Sequence, residues 1–252
     1  MKFIAIIPAR FASTRFPGKP LAMLGGKPII QRVYERVSGL LDATCVATDD
    51  ERIFKAVEQF GGQAVMTRND HKSGTDRCWE AVSKLGADKY DVVVNVQGDE
   101  PFVHPQQIEQ LKACFDNPDT HIATLVKPFD KDAPLAALEN PNSPKVVIGN
   151  DMRALYFSRS VIPYLRNTDK EQWLSSHTFY KHLGLYAYRT EVLRQITQMP
   201  PSQLELAESL EQLRWLQNGL RIQVAITDHE TIGIDTPQDL QRAEEFLKAN
   251  PD

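Results

Sequence analysis

Residues 8–20 carry Arg10, Arg15 and Lys19 together with the hydroxyls of Ser13 and Thr14. Three cations and two hydroxyls in so short a loop suit a triphosphate, whose oxygens need both charge neutralisation and directional donors. The loop is not a Walker A element, because Gly18-Lys19 is followed by Pro20 and the GxxxxGK spacing is missing. A second signal is Gln97-Gly98-Asp99-Glu100-Pro101, which presents an acid just after the apolar run Val92-Val93-Val94-Asn95-Val96. A third is Ile232-Gly233-Ile234-Asp235-Thr236-Pro237, far along the chain. Asp99 and Asp235 are candidates to share one Mg2+, an ion that takes one or two carboxylates plus substrate phosphates in preference to an all-protein cage. Each acid also has a plain explanation: a turn for Asp99, and for Asp235 a helix start, where Asp or Thr commonly precedes Pro.

Other segments speak less sharply. His71-Lys72-Ser73-Gly74-Thr75-Asp76-Arg77 precedes a helical pattern and offers a hydroxyl and backbone groups to a base edge, yet capping accounts for Ser73 and Thr75 nearly as well. Phe157-Ser158-Arg159-Ser160 and Lys181-His182-Leu183-Gly184-Leu185-Tyr186 set polar groups within apolar strands. Buried polar groups need partners, and a polyhydroxylated acid is one source of them. Glu208, Glu211 and Gln212 read equally well as the solvated face of a leucine-rich helix.

The elements that must position these residues follow from periodicity. Strand-like runs at 2–7, 44–47, 63–66 and 91–96 alternate with helical patterns at 28–37, 51–60, 75–85 and 105–115. Short β-branched runs separated by helices imply βαβ crossovers and a parallel sheet, hence an α/β, doubly wound, Rossmann-like fold. The basic loop then falls at the carboxyl end of the first strand, the edge where open α/β sheets bind ligands. After residue 122 the rhythm changes to strands at 122–127, 145–148, 154–158 and 182–188, which predicts a smaller antiparallel insertion at about residues 150–190 within a single domain spanning 1–252. Residues 203–218 predict one helix with Leu206, Leu210, Leu213 and Leu216 or Gln217 along one stripe and Gly219 as its C-cap. A last strand at 221–227 leads to a closing helix started by Asp235 or Thr236 with Pro237.

Composition narrows the function classes. The 252 residues carry 29 Lys+Arg against 33 Asp+Glu, a net charge of −4, so a general nucleic-acid or acidic-lipid surface is not expected. No run approaches the length that spans a bilayer, and the first apolar run is too short for a signal peptide, which makes the cytoplasm the expected compartment. Cys45, Cys78 and Cys114 lie more than 30 residues apart, which suits buried thiols rather than a disulfide or metal framework.

Taken together, Ile6-Ile7-Pro8-Ala9-Arg10, the run from Ser13 through Gly18-Lys19-Pro20-Leu21, and Gln97-Gly98-Asp99-Glu100-Pro101 resemble the sugar-activating cytidylyltransferases. The 157–160 and 181–186 motifs, Leu210-Glu211-Gln212-Leu213-Arg214 and Gly233-Ile234-Asp235-Thr236-Pro237 narrow the resemblance to members acting on 3-deoxy-manno-octulosonate (Kdo). It extends from residue 2 to about residue 247. The resemblance implies transfer of CMP from CTP to Kdo with release of pyrophosphate, Mg2+ dependence, a cytoplasmic homodimer and a role in lipopolysaccharide biosynthesis. It assigns the nucleotide to Ala9, Arg10, Ser13, Arg15, Lys19, Ser73, Gly74, Asp76 and Arg77, and the metal to Asp99 and Asp235. Arg10, Lys19, Asp99 and Asp235 become the catalytic set, and Gln97, Arg159, His182, Tyr186, Glu211 and Gln212 line the sugar pocket. Rival expectations are an enzyme activating another acid sugar such as a sialic acid, a glycosyltransferase, and a nucleotide-binding module without turnover.

Overall fold

The computed structural model describes residues 1–12, 15–230 and 232–250. In chain order the first elements are β1 (Phe3–Ala9), β2 (Met23–Leu24), β3 (Lys27–Pro28), α1 (Ile29–Val37), β4 (Ala43–Thr48), α2 (Glu51–Gln59), β5 (Ala64–Met66), α3 (Gly74–Leu85), β6 (Val92–Asn95) and α4 (Pro105–Ala113). There follow β7 (Ile122–Pro128), α5 (Leu135–Glu139), β8 (Lys145–Ile148), β9 (Ala154–Ser158), α6 (Trp173–Ser176), β10 (Tyr180–Arg189) and α7 (Thr190–Thr197). The chain closes with α8 (Gln203–Glu208), α9 (Gln212–Gln217), β11 (Ile222–Ile226) and α10 (Pro237–Ala249). Two compact units emerge: unit 1 holds Met1–Glu109, Tyr188–Thr197 and Thr231–Asp252, and unit 2 holds Gln110–Ala187 and Gln198–Glu230.

Unit 1 contains the parallel ladder β6-β1-β4-β5, as the alternation of apolar strands and helices predicts. Ile4, Ile6, Val92, Val93 and Val94 are fully buried, the near-continuous apolar pattern of strands covered on both faces. Helix α1 buries Ile29, Ile30, Val33 and Val37, one stripe at helical spacing. Strand β1 runs two residues beyond its predicted end, through Pro8, which is unusual for a central strand. The β6 ladder stops at the Ile6–Asn95 pair, so Pro8 lies past it and keeps company with Ala47 of β4 alone.

Unit 2 pairs β7 with β11 in parallel, from Ile122–Ile222 to Val126–Ile226. It also carries an antiparallel group in which β8 pairs with β9 and with β10. A satellite core of Leu138, Trp173, Leu174 and Phe179 packs beneath its connecting segments. The single helix expected over 203–218 is instead two, because Ser209 takes a left-handed backbone (φ 50°) that ends α8. The predicted leucine stripe splits accordingly, with Leu210 and Leu213 buried and Leu206 68% exposed.

Candidate functional site

The carboxyl ends of β1 and β6 and the amino end of α3 surround a cleft of about 340 Å³ within unit 1. Arg10, Arg15, Lys19 and Lys72 line it with positive charge, and Asp99 and Asp235 bring the negative charge. Backbone chemistry explains how the loops come so close. A Cβ on Gly98 would lie 2.7 Å from the Pro8 carbonyl oxygen, so the loop after β6 can approach the end of β1 only without a side chain there. On the other loop, Gly18 adopts φ 72° and its N–H donates to the Phe11 carbonyl at 2.9 Å. The Leu21 and Ala22 N–H groups then donate to Gly18 and Lys19, closing a short turn over 19–21. The Arg52 guanidinium lies 3.3 Å from the centre of the Phe11 ring, which fixes the base of this turn.

At the centre of the cleft the Lys19 ammonium donates to Asp99 Oδ2 at 2.5 Å and to Asp235 Oδ1 at 3.2 Å. Arg15 Nη2 approaches the other Asp235 oxygen at 3.1 Å. Lys19 is only 12% exposed, whereas Arg15 is 64% exposed, so the lysine pairs carry the stronger electrostatics. Asp235 is not the helix cap: Thr236 accepts from the Asp239 N–H, and Asp239 answers the Thr236 N–H in a reciprocal capping box. Capping by its neighbour leaves the Asp235 carboxylate to the cleft, and the Ile234 N–H donates to the Asp99 carbonyl at 2.9 Å, tying the two acid-bearing loops together. Behind them Glu100 has its carboxyl buried, and that burial, reinforced by the charges of Asp99 and Asp235, pushes its pKa up to about 8.

The second wall is the segment before α3. Ser73 caps α3 by accepting from the Asp76 N–H at 3.1 Å, and both Ser73 and Gly74 border the cleft. Asp76 is not on the cleft lining; it sits in the first turn of α3. Arg77 is buried and directed at structural partners, donating to Thr67 Oγ1 at 2.6 Å and to Asp49 Oδ2 at 2.9 Å while forming part of the wall. Ala9 and Gln97 line the cleft, and Ser13 lies outside the described residues. Two lining residues, His71 and Lys72, were not among the predicted nucleotide contacts, although their place in the 71–77 motif was signal enough. His71 is held by the Glu80 carboxylate. Burial raises the Glu80 pKa, but Lys84, the Arg68 N–H and His71 outweigh it and hold the group at about 2. Nothing in the sequence linked Glu80 to His71, since the partnership depends on how α3 leaves its cap.

The remaining predicted residues form a different cluster, within unit 2. Arg159 Nε donates to the Glu208 carbonyl at 2.6 Å, Nη1 to Pro141 at 2.8 Å and Nη2 to Ser209 at 3.2 Å. The Glu208 carboxylate in turn accepts from Ser158 Oγ at 2.6 Å and from the Arg159 N–H at 2.8 Å. Glu208 is therefore no solvated helix residue; it and Arg159 hold the break between α8 and α9. Glu211 accepts from Arg214 at 2.6 Å, and Gln212 is buried with an amide nitrogen that finds no partner within the described residues. His182 packs against Phe157 at 5.2 Å and Tyr186 at 5.0 Å between ring centres. The Gly184 N–H donates to its Nε2 at 3.2 Å, with the Thr124 hydroxyl 2.9 Å away, so that nitrogen carries a lone pair. Burial pushes the His182 pKa down to about 3.

The two aspartates supply oxygen donors already converging on one cation, the donor chemistry that Mg2+ uses alongside substrate phosphates. Among the described residues no group of three or more His, Cys, Asp or Glu is arranged to hold a metal by itself. The donor set therefore fits an ion shared with a phosphate ligand and not a closed protein cage. No helix of the described residues is long and apolar enough to cross a membrane.

Comparison with known proteins gives a consistent outcome. The sequence profile of the family described as Cytidylyltransferase matches residues 4–222. A 3-deoxy-manno-octulosonate cytidylyltransferase of Bacteroides thetaiotaomicron is 70% identical over 248 residues, covering 98% of this chain and 99% of its own. The enzyme of the same name from Porphyromonas gingivalis is 56% identical, covering 98% of this chain and 96% of its own. A solved CMP:2-keto-3-deoxy-manno-octonic acid synthetase complexed with CTP superposes with a TM-score of 0.90 at 42% identity over 99% of both chains. A 4-diphosphocytidyl-2C-methyl-D-erythritol synthase from Anaerococcus prevotii, at 15% identity and a TM-score of 0.62, shares the fold.

Proposed function

The chain belongs to the cytidylyltransferase family, and on that premise we propose that it transfers the cytidylyl group of CTP to Kdo, forming CMP-Kdo and pyrophosphate. The observation that carries this reading is the cleft of unit 1, where Asp99 and Asp235 converge on Lys19 amid Arg10, Arg15 and Lys72. A pure anion-binding loop has no use for two carboxylates at its centre; a site that gathers a polyphosphate together with a divalent cation needs both signs of charge.

The chemistry is in-line displacement at the α-phosphorus. The anomeric hydroxyl of Kdo attacks, its oxygen–phosphorus bond forming as the bond to the bridging oxygen of the β-phosphate breaks; pyrophosphate departs and the hydroxyl proton passes to solvent. Negative charge accumulates on the departing oxygens, and Arg10, Arg15 and Lys19 are the groups that neutralise it. Ser73 and Gly74, presented by the start of α3, face the nucleoside end of the cleft. Mg2+ bound by Asp99 and Asp235 would add charge neutralisation at the phosphates and lower the pKa of a ligated hydroxyl.

Recognition of the sugar is proposed for Gln97 at the cleft. In unit 2 Arg159 serves as a positioning residue, because its guanidinium is committed to the carbonyls of Glu208 and Ser209 where α8 ends. The same reading makes the protein a cytoplasmic homodimer that supplies an activated sugar for lipopolysaccharide biosynthesis.

Pyrophosphate release from CTP and Mg2+, measured in parallel with Kdo, N-acetylneuraminate and no sugar, tests the proposal. Release with Kdo alone is the expected result. Release with N-acetylneuraminate instead would keep the nucleotide site and replace the sugar, and release with neither would return the chain to the binding modules.

A further inference from the structure

Lys19 is placed oddly for a residue whose task is to meet phosphates. Its backbone is fixed by the 19–21 turn, and its ammonium, at the centre of the cleft, is already shared between Asp99 at 2.5 Å and Asp235 at 3.2 Å. The lysine side chain is 12% exposed, while Asp99 and Asp235 remain 30% and 48% exposed. The two acids thus reach solvent while one ammonium already occupies the space between them. Arg15 reaches Asp235 as well, but at 64% exposure it is screened by solvent and ions and holds the site weakly.

From this arrangement, and resting on the reading of the cleft as a CTP site, we propose that Lys19 is a built-in counterion that keeps a divalent metal out of the Asp99–Asp235 pair until the triphosphate arrives. In the nucleotide-free protein a metal must expel the ammonium from both carboxylates and leave it without an anionic partner. A triphosphate provides that partner: its oxygens take the Lys19 ammonium, both carboxylates are released, and metal and nucleotide load as one unit. Binding linkage then requires that metal favour nucleotide by the same factor as nucleotide favours metal. The device also accounts for the turn that carries Lys19, since a fixed backbone leaves a side-chain swing as the one movement needed.

Mn2+ serves as the probe, its free concentration read by electron paramagnetic resonance on nucleotide-free protein. Wild type is expected to bind Mn2+ weakly, and Lys19→Gln to bind it about tenfold more tightly or better. Lys19→Met, tested beside it, provides a second neutral variant, with circular dichroism reporting the fold of each, and Lys19→Arg should exclude Mn2+ as wild type does. Equal Mn2+ affinity in wild type and the neutral variants overturns the proposal, as does absence of binding in all of them. The underlying site reading is judged separately, by Mn2+ binding to wild type with a non-hydrolysable CTP analogue beyond what the analogue binds in solution. Binding in that arm with equal affinities in the first would remove the counterion role and leave the nucleotide site standing.

Discussion

Two clusters of charged and polar residues in this molecule are built from the same side-chain types and behave differently. In unit 1, Arg10, Arg15 and Lys19 stand on loops at strand ends, and the ionic bonds that Lys19 and Arg15 make run to Asp99 and Asp235, acids that themselves face the cleft. In unit 2, Arg159 spends its guanidinium on three main-chain carbonyls, and its backbone N–H and the neighbouring Ser158 hydroxyl engage Glu208. Ion pairs between partly exposed groups can be exchanged for ligand oxygens at little cost, whereas the half-buried Arg159 spends its donors on main-chain carbonyls and so holds its own chain in place. Residue type therefore says little about function until the partner is known; an arginine held by carbonyls shapes the chain, and one that faces a cleft binds.

The largest expected effect lies in unit 1. Asp235→Asn should leave the fold intact, because Thr236 and Asp239 cap α10 without it, and should lower turnover at least about a hundredfold. Near-normal turnover measured by pyrophosphate release would erase the distinction between the two clusters. In unit 2 the effect should appear in stability: Arg159→Ala is expected to lower the unfolding free energy by about 2 kcal/mol in urea denaturation, chiefly through the part-buried bond to the Glu208 carbonyl, since the Pro141 and Ser209 carbonyls are exposed to water.

A smaller effect follows from His182. Its pKa falls from the ordinary 6.5 to about 3 in the fold, so the unfolded chain takes up a proton that the native state refuses. The stabilisation is complete above pH 6.5 and is lost progressively as pH falls toward 3, amounting to about 2 kcal/mol at pH 5. His182→Gln should remove that component, read as a flatter dependence of unfolding free energy between pH 7 and 5. The smallest effect is expected for Arg15→Ala, whose exposed pair with Asp235 should contribute under about 1 kcal/mol to thermal stability. A larger loss would make Arg15 a structural residue like Arg159.

Much of this was legible from the residues. The parallel strands of unit 1 show as apolar β-branched runs, and their boundaries fall within a few residues of prediction because Gly, Pro and Asp punctuate them. Asp99 and Asp235 were readable as a pair, since each follows an apolar run and both sit ahead of a turn or helix start. The failures share one cause. The break at Ser209 is stabilised by Arg159, fifty residues earlier, and no local pattern at 203–218 announces it. The hold of Glu80 on His71 and of Asp49 on Arg77 are likewise tertiary facts, and the latter fixes a side chain that also lines the cleft.

The comparison is tested most directly by titrating CTP, in the presence of Mg2+, into wild type, Arg10→Ala and Arg159→Ala by isothermal calorimetry. The account predicts that Arg10→Ala weakens CTP about tenfold, the loss of one charge-assisted contact, and that Arg159→Ala binds CTP as wild type does. Undiminished affinity in Arg10→Ala, with a loss in Arg159→Ala, would contradict the assignment of the nucleotide to the cleft of unit 1.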